Sequence, residues 1–248
     1  MTYNLIGDIH GRNTWRQLVR TDMINIFLGD YLDPYDRDDL QASPAEYDNL
    51  QDIIRFKQQH PETILLLGNH DLHYLWDEHY SRYNDKHAER YAQLIREHLH
   101  LFQAAYAIGD RLLVTHAGVT RPWLQLAGIS EQQSVSQLAE AICRCMSDEE
   151  SRHLFSVEST FHPDDSCGMS PTASPIWVRP HTLLDHGLFV DHRGDIIYQV
   201  VGHTQISQIM QFDSCVFVDC LGTVPQSLRI TFNAAGEPIF TPLPVKIQ

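Results

Sequence analysis

The first third of the chain alternates short apolar runs with longer amphipathic segments. Apolar runs predict three buried strands, at residues 3–6, 24–28 and 63–67. Helices are predicted between them, near residues 12–20 and at residues 44–60, the second with Ser43 as N-cap and Pro44 at its first position. This βαβαβ order predicts a parallel sheet with right-handed crossovers.

The pattern changes toward the C-terminus. Residues 87–102 predict an amphipathic helix, and residues 104–115 predict two strands joined by a turn at Gly109-Asp110. Residues 120–155 are predicted to be helical, and residues 156–175 read as a long loop of the kind that is functional or disordered. Five further strands are predicted at residues 196–201, 206–212, 216–218, 228–232 and 238–241.

Polar residues that bind metals follow five of the predicted strands. The motifs are Gly7-Asp8-Ile9-His10-Gly11, Gly29-Asp30-Tyr31-Leu32-Asp33, Gly68-Asn69-His70-Asp71, Thr115-His116-Ala117-Gly118 and Gly202-His203-Thr204. Ligands bind where parallel strands end in open α/β sheets. Oxygen and imidazole donors without thiolates suit a pair of divalent transition ions, and such pairs hydrolyse phosphate esters.

Each donor has an ordinary role if it is taken alone. Asp8, Asp30 and Asn69 are typical turn or helix-cap residues, and His116 and His203 fit the pattern of core histidines. The hypothesis of a metal site therefore rests on the combination: five strand ends in one chain are each followed by a residue that can bind a metal.

The amino-acid composition limits the kinds of partner that the protein is expected to bind. The formal net charge is −14, from 32 acidic residues against 18 lysines and arginines. Such a surface repels polyanions and disfavours nucleic-acid binding, whereas bound divalent cations reverse the potential locally for a small phosphate. Five cysteines without a C-x-x-C pair predict reduced thiols. With neither a signal peptide nor a membrane-length apolar run recognised, we expect no membrane partner and a cytoplasmic location.

In this order the motifs resemble those of the calcineurin-like metallophosphoesterase superfamily. The chain is most similar to its phosphoprotein-phosphatase branch, which includes bacterial and phage serine/threonine phosphatases and symmetrical dinucleoside-tetraphosphate hydrolases. The resemblance spans residues 5 to about 205. It implies an α/β fold, a four-layer α/β/β/α sandwich of two mixed sheets flanked by helices. Because the motifs extend from residue 8 to residue 203, we expect a single domain over residues 1–248.

The resemblance also implies roles for individual residues. The first metal would be bound by Asp8, His10 and Asp30, with Asp30 bridging to the second. The remaining ligands of the second metal would be Asn69, His116 and His203. His70 would be the general acid, oriented by Asp33. The cofactors would be two divalent transition-metal ions, with manganese favoured and iron or zinc as alternatives.

Three departures from the family pattern concern the substrate. The arginine that usually follows the second motif is missing, because Asp33 is followed by Pro34-Tyr35, and Arg37 is a candidate replacement. Gln205 stands where many other members have a second histidine, which favours the phosphatase-like branch over phosphodiesterases. Trp177-Val178-Arg179 resembles a segment that carries a phosphate-binding arginine, so Arg179 is the stronger candidate.

The leading hypothesis is a phosphomonoesterase that acts on a phosphoprotein or a small phosphorylated metabolite by direct attack of a metal-bound hydroxide. A hydrolase of dinucleoside polyphosphates or another phosphoanhydride is the alternative. A non-catalytic scaffold with the same fold is less favoured, because the set of ligand residues is complete.

Overall fold

The computed structural model describes residues 1–35, 45–76, 78–156 and 167–245. The helices are α1 (Trp15–Leu18), α2 (Ala45–Gln59), α3 (Asn69–Trp76), α4 (Ala88–Glu97), α5 (Arg121–Leu126), α6 (Val135–Ser147) and α7 (Pro180–His186). The strands are β1 (Tyr3–Ile6), β2 (Ile24–Phe27), β3 (Ile64–Leu66), β4 (Phe102–Gln103), β5 (Ala105–Ile108), β6 (Leu112–Thr115), β7 (Tyr198–Val201), β8 (Met210–Phe212), β9 (Cys215–Phe217), β10 (Gln226–Phe232) and β11 (Pro238–Pro244).

The strands form two mixed sheets. The first has the order β11-β10-β1-β2-β3-β4, in which β1 to β4 are parallel and β10 and β11 are antiparallel additions at one edge. The second has the order β5-β6-β7-β9-β8, with β6, β7 and β9 parallel and antiparallel strands at both edges. The predicted parallel sheet is therefore confirmed as the centre of the first sheet.

The two sheets pack face to face through a fully apolar layer. Leu5, Ile26 and Leu66 of the first sheet lie in one buried cluster with Val114 and Val200 of the second. Alternate residues of the same strands point the other way, as the twofold period of a strand requires.

Helices cover the outer faces of the sheets. On the first sheet Phe27 and Leu65 pack with Leu50 of α2, and on the second Phe217 packs with Leu183 of α7. The predicted four-layer α/β/β/α sandwich is confirmed.

Several boundaries differ from those predicted. The helix expected at residues 12–20 is only Trp15–Leu18, and the helical region at 120–155 divides into α5 and α6, with a capping box at Ser134. Helices α3 and α7 were missed. The first half of α3 buries polar residues, so its sequence lacks the apolar stripe from which a helix is recognised.

Some predictions lie outside the described residues, namely the cap at Ser43 and residues 157–166 of the predicted loop. All five cysteines are described, and all are free thiols. None of the helices in the described ranges combines the length and apolar character needed to cross a bilayer.

Candidate metal centre

The parallel strands of both sheets end at one common edge, and the metal-donor residues gather there. Asp8 lies just after β1, Asp30 after β2, His116 after β6 and His203 after β7. Two groups of donor atoms result, Asp8/His10/Asp30 and Asp30/His116/His203, and within each the atoms lie within 4.8 Å of one another. Asp30 belongs to both groups, so its carboxylate lies between two potential metal positions.

The first group has one histidine whose orientation is set by the backbone. His10 Nδ1 lies 3.0 Å from the carbonyl oxygen of Leu32, and its Nε2 lies 3.6 Å from Asp30 Oδ2. Because Nδ1–H donates to a carbonyl, Nε2 keeps its lone pair for a ligand. Burial lowers the pKa of His10 to about 4, which favours the neutral imidazole that a metal requires. Asp8 Oδ2 is buried without a hydrogen-bond partner among the described residues.

The second group is centred on Asn69, the first residue of α3. Its Oδ1 lies 3.1 Å from His116 Nε2 and 3.0 Å from His203 Nδ1. His116 Nδ1 lies 2.7 Å from the carbonyl oxygen of Leu28, and His203 Nε2 is buried without a partner in the described part of the chain. The motif follows β3, as predicted, and the structure places the amide of Asn69 between the two histidines.

These residues fit divalent cations in donor type and in charge. Burial alone lowers the pKa of His116, but the carboxylates of Asp30 and Asp8 outweigh it and raise the pKa to about 10. The site therefore attracts positive charge strongly. Buried carboxylates and imidazoles lie close together here, and two of their possible ligand atoms, Asp8 Oδ2 and His203 Nε2, have no hydrogen-bond partner among the described residues. This is the arrangement expected of a site for divalent ions.

Asp71 of α3 fixes the backbone beneath these ligands. Its carboxylate accepts hydrogen bonds from the amides of Asp30 (2.8 Å), Tyr31 (2.9 Å) and Gly68 (2.9 Å). The segments that follow β2 and β3 are thus joined at one buried anchor.

Backbone strain concentrates at the same edge. Among the described residues, six other than glycine have positive φ, and four of them are His10 (44°), Asp30 (51°), Asp33 (56°) and His203 (63°). Such conformations cost about 1–3 kcal/mol each and cluster at functional sites.

Next to the first group, Asp33 holds two histidines of α3. His70 Nδ1 and His73 Nε2 each lie 2.8 Å from Asp33 Oδ2, and the hydroxyl of Tyr74 donates to Asp33 Oδ1. Burial raises the pKa of Asp33, but hydrogen bonds from both histidines bring it to about 2. The ligand atoms of Asp33, His70 and His73 are also close enough to hold a metal. Hydrogen bonds with His70 and Tyr74 already engage both oxygens of Asp33.

Arg179 lies beside the second group. Its Nη1 donates to Thr204 Oγ1 at 3.3 Å, its Nε donates to the carbonyl of Cys167 at 3.2 Å, and its guanidinium carbon lies 5.1 Å from the centre of the Trp177 ring. That ring in turn contacts His203 at 5.1 Å between centroids. Arg37, the other predicted arginine, lies outside the described residues.

One carboxylate of the site was missed. Asp219 follows β9, is 3% exposed and lies near Asp8, whose pKa is raised by burial and by Asp219. Burial and Asp30 likewise raise the pKa of Asp219 to about 6. The sequence does contain the signal that identified the other donors, since Asp219 directly follows the strand predicted at residues 216–218.

Comparison with known proteins agrees with this geometry. A family model described as calcineurin-like phosphoesterase matches residues 1–207, a range that contains all six predicted metal ligands together with His70 and Asp33. A search of curated proteins gave no match. The family and the clusters of aspartate and histidine indicate a hydrolase of phosphoesters that binds divalent metal ions. The chain belongs to the calcineurin-like phosphoesterase family.

Proposed function

We propose that this protein is a dinuclear-metal phosphoesterase that hydrolyses a phosphomonoester, carried either by a phosphoprotein or by a small metabolite. The observation that carries the proposal is the position of Asp30, which contributes to both donor groups. One ion would be bound by Asp8, His10 and Asp30, and the other by Asp30, Asn69, His116 and His203. Two bound divalent ions supply an acidified water as nucleophile and neutralise charge on the phosphate oxygens.

We assign the role of general acid to His70. Its Nδ1 faces Asp33, so Nδ1–H donates there and Nε2 is the atom that gives its proton to the departing oxygen. Its ring lies 5.1 Å from that of His10, next to the first donor group, and its backbone N–H donates to Asp30 Oδ1 at 2.9 Å. Asp33, shared with His73, keeps the imidazole in this orientation.

We assign phosphate binding to Arg179. A guanidinium donates two parallel hydrogen bonds to phosphate oxygens, and these bonds strengthen as negative charge moves onto the oxygens. The contacts of Arg179 with Thr204 and Cys167 place its side chain next to His203, where such a phosphate would lie.

The finer assignments are proposals as well. Gln205 in place of a second histidine supports the phosphatase-like branch, and the mixed oxygen and nitrogen donors support manganese. The net charge of −14 supports the proposal of no nucleic-acid partner. The five free thiols support the proposal of a cytoplasmic location. Hydrolysis of a phosphoanhydride is the alternative, because the same residues serve a different leaving group.

The experiment is an activity screen of the protein loaded separately with manganese, iron and zinc. p-Nitrophenyl phosphate, phosphopeptides and dinucleoside polyphosphates would be compared under identical conditions. We expect metal-dependent release of phosphate from monoesters. Preparations that bind two ions and hydrolyse none of these compounds would favour a scaffold.

His70→Ala separates chemistry from metal binding. We expect kcat to fall by about 10²–10⁴ with metal content intact, as for the loss of a general acid. The loss should be smaller for p-nitrophenyl phosphate than for an alkyl phosphate, because p-nitrophenolate leaves without protonation. His100→Ala, at an exposed histidine after α4, is the control. An equal loss for both leaving groups would show that His70 has another role.

A further inference from the structure

A pocket of about 400 Å³ opens beside the first donor group. Its lining includes His10, Arg12, Tyr35 and Gln205. Because His10 is both a proposed metal ligand and part of the pocket wall, a substrate whose phosphate lies at the metals can extend into this space.

Tyr35, which lines this pocket, lies close to the guanidinium groups of Arg82 and Arg12. Its ring is 51% exposed, and the guanidinium carbons of Arg82 and Arg12 lie 3.8 Å and 5.3 Å from its centre. The centroid of the His10 ring lies 5.1 Å from that of Tyr35, in an edge-to-face arrangement. Cation–π attraction thus fixes two guanidinium groups around one half-exposed aromatic ring next to the metal centre.

The side chains of Gln205 and Arg12 add polar donors to the same wall, where both pack closely against Gly222. A Cβ atom at Gly222 would lie 2.1 Å from the amide nitrogen of Gln205 and 2.9 Å from Arg12 Nη2. An alanine at this position would therefore displace the ends of the Gln205 and Arg12 side chains.

The hydrogen bonds of Arg12 are long. Its Nη1 lies 3.4 Å from the carbonyl oxygens of Asp8 and Ile9, and its charge attracts the carboxylate of Asp219. Bound metal ions would neutralise Asp219 and its neighbours, and the guanidinium could then attract an incoming anion.

We propose that this pocket binds a second phosphoryl group of the substrate, with Arg12 as its main contact and Tyr35 packing against the linking atoms. The inference rests on the proposed phosphoesterase function. It narrows the substrate class to small phosphomonoesters that carry a second phosphoryl group. On a chain with a net charge of −14, the guanidinium group of Arg12 in the pocket wall favours such an anion.

The test compares two ligands that cannot be hydrolysed, propylphosphonate and propane-1,3-bisphosphonate. Calorimetry with the metal-loaded, full-length protein measures both affinities. We expect the bisphosphonate to bind at least about tenfold more tightly to the wild type, and Arg12→Gln to reduce this ratio to within about threefold. Arg12→Lys should give an intermediate ratio, since it keeps the charge and loses the planar fork.

Two further variants make the test independent of folding effects. Gly222→Ala displaces Arg12 and Gln205 without removing charge, and should also lower the ratio. Arg90→Gln is the control for Arg12→Gln, because Arg90 also has a cation–π contact, 3.8 Å from the centre of the Tyr47 ring, but does not line this pocket. It should leave the ratio unchanged.

The outcomes are distinct. Equal affinity of the wild type for both ligands, or an equal loss of both affinities in Arg12→Gln, would overturn the second phosphoryl site and leave the phosphoesterase proposal intact. Failure to bind either phosphonate, together with no hydrolysis of p-nitrophenyl phosphate, would contradict both proposals.

Discussion

A single methyl group added at Gly68 should disable the metal centre. Gly68 joins β3 to α3, and a Cβ atom there would lie 2.2 Å from Asp30 Oδ1 and 2.7 Å from His116 Cε1. Both of these side chains are fully or almost fully buried, so neither can move into solvent. Gly68→Ala therefore forces the shared carboxylate and a histidine of the second group out of place.

The size of the effect follows from the contact distance. Ordinary contact begins at 3.4 Å, so Asp30 Oδ1 must retreat by about 1.2 Å. Metal–ligand distances are constrained to about 0.2 Å, so a displacement of this size removes the ligand. We expect both ions to bind at least about 100-fold more weakly. Overpacking should also lower the free energy of unfolding of the metal-free protein by about 1–3 kcal/mol.

The assay measures metal content and thermal unfolding on the same samples. Gly128→Ala is the control, because Gly128 has no atom within 4 Å of an added Cβ but has φ +65°. An alanine there costs about 1–2 kcal/mol of backbone strain. The two variants should thus be destabilised to a similar extent, while only Gly68→Ala loses its metals.

One result would refute the reasoning. If Gly68→Ala binds two ions with the affinity of the wild type, Asp30 and His116 do not converge beneath Gly68 as ligands. The assignment of both donor groups to metals would then have to be abandoned.

Four other substitutions test the remaining roles. Asp30→Asn should weaken the binding of both ions together, and a titration in which one ion binds normally would contradict bridging. Arg179→Ala should weaken the binding of inorganic phosphate and lower kcat/KM at least about tenfold, or about 1.4 kcal/mol. A comparable loss in Arg37→Ala would show that Arg37 shares this role. Asp219→Asn should lower metal affinity about 10–100-fold without abolishing binding, as for a group that supports ligands; unchanged affinity would remove Asp219 from the site.

The local pattern of the sequence was sufficient for the main elements of the sandwich. Strand β1 was predicted with its observed bounds, and the turn at Gly109-Asp110 does join β5 to β6. Buried strands consist of short apolar runs, and this signal is local. Helix α3 was missed because its burial departs from helical periodicity: Asn69, His70 and Asp71 are all buried.

The sequence by itself also indicated which donors of each sheet converge, apart from Asp219, because donors at the ends of parallel strands meet at one edge of their sheet. Only the tertiary structure decided how they are held. The carbonyls of Leu32 and Leu28 orient His10 and His116 through contacts between distant segments, and no spacing along the chain encodes them. The pocket around Arg12 and Tyr35 has the same origin, since it exists only where loops from different strands pack together.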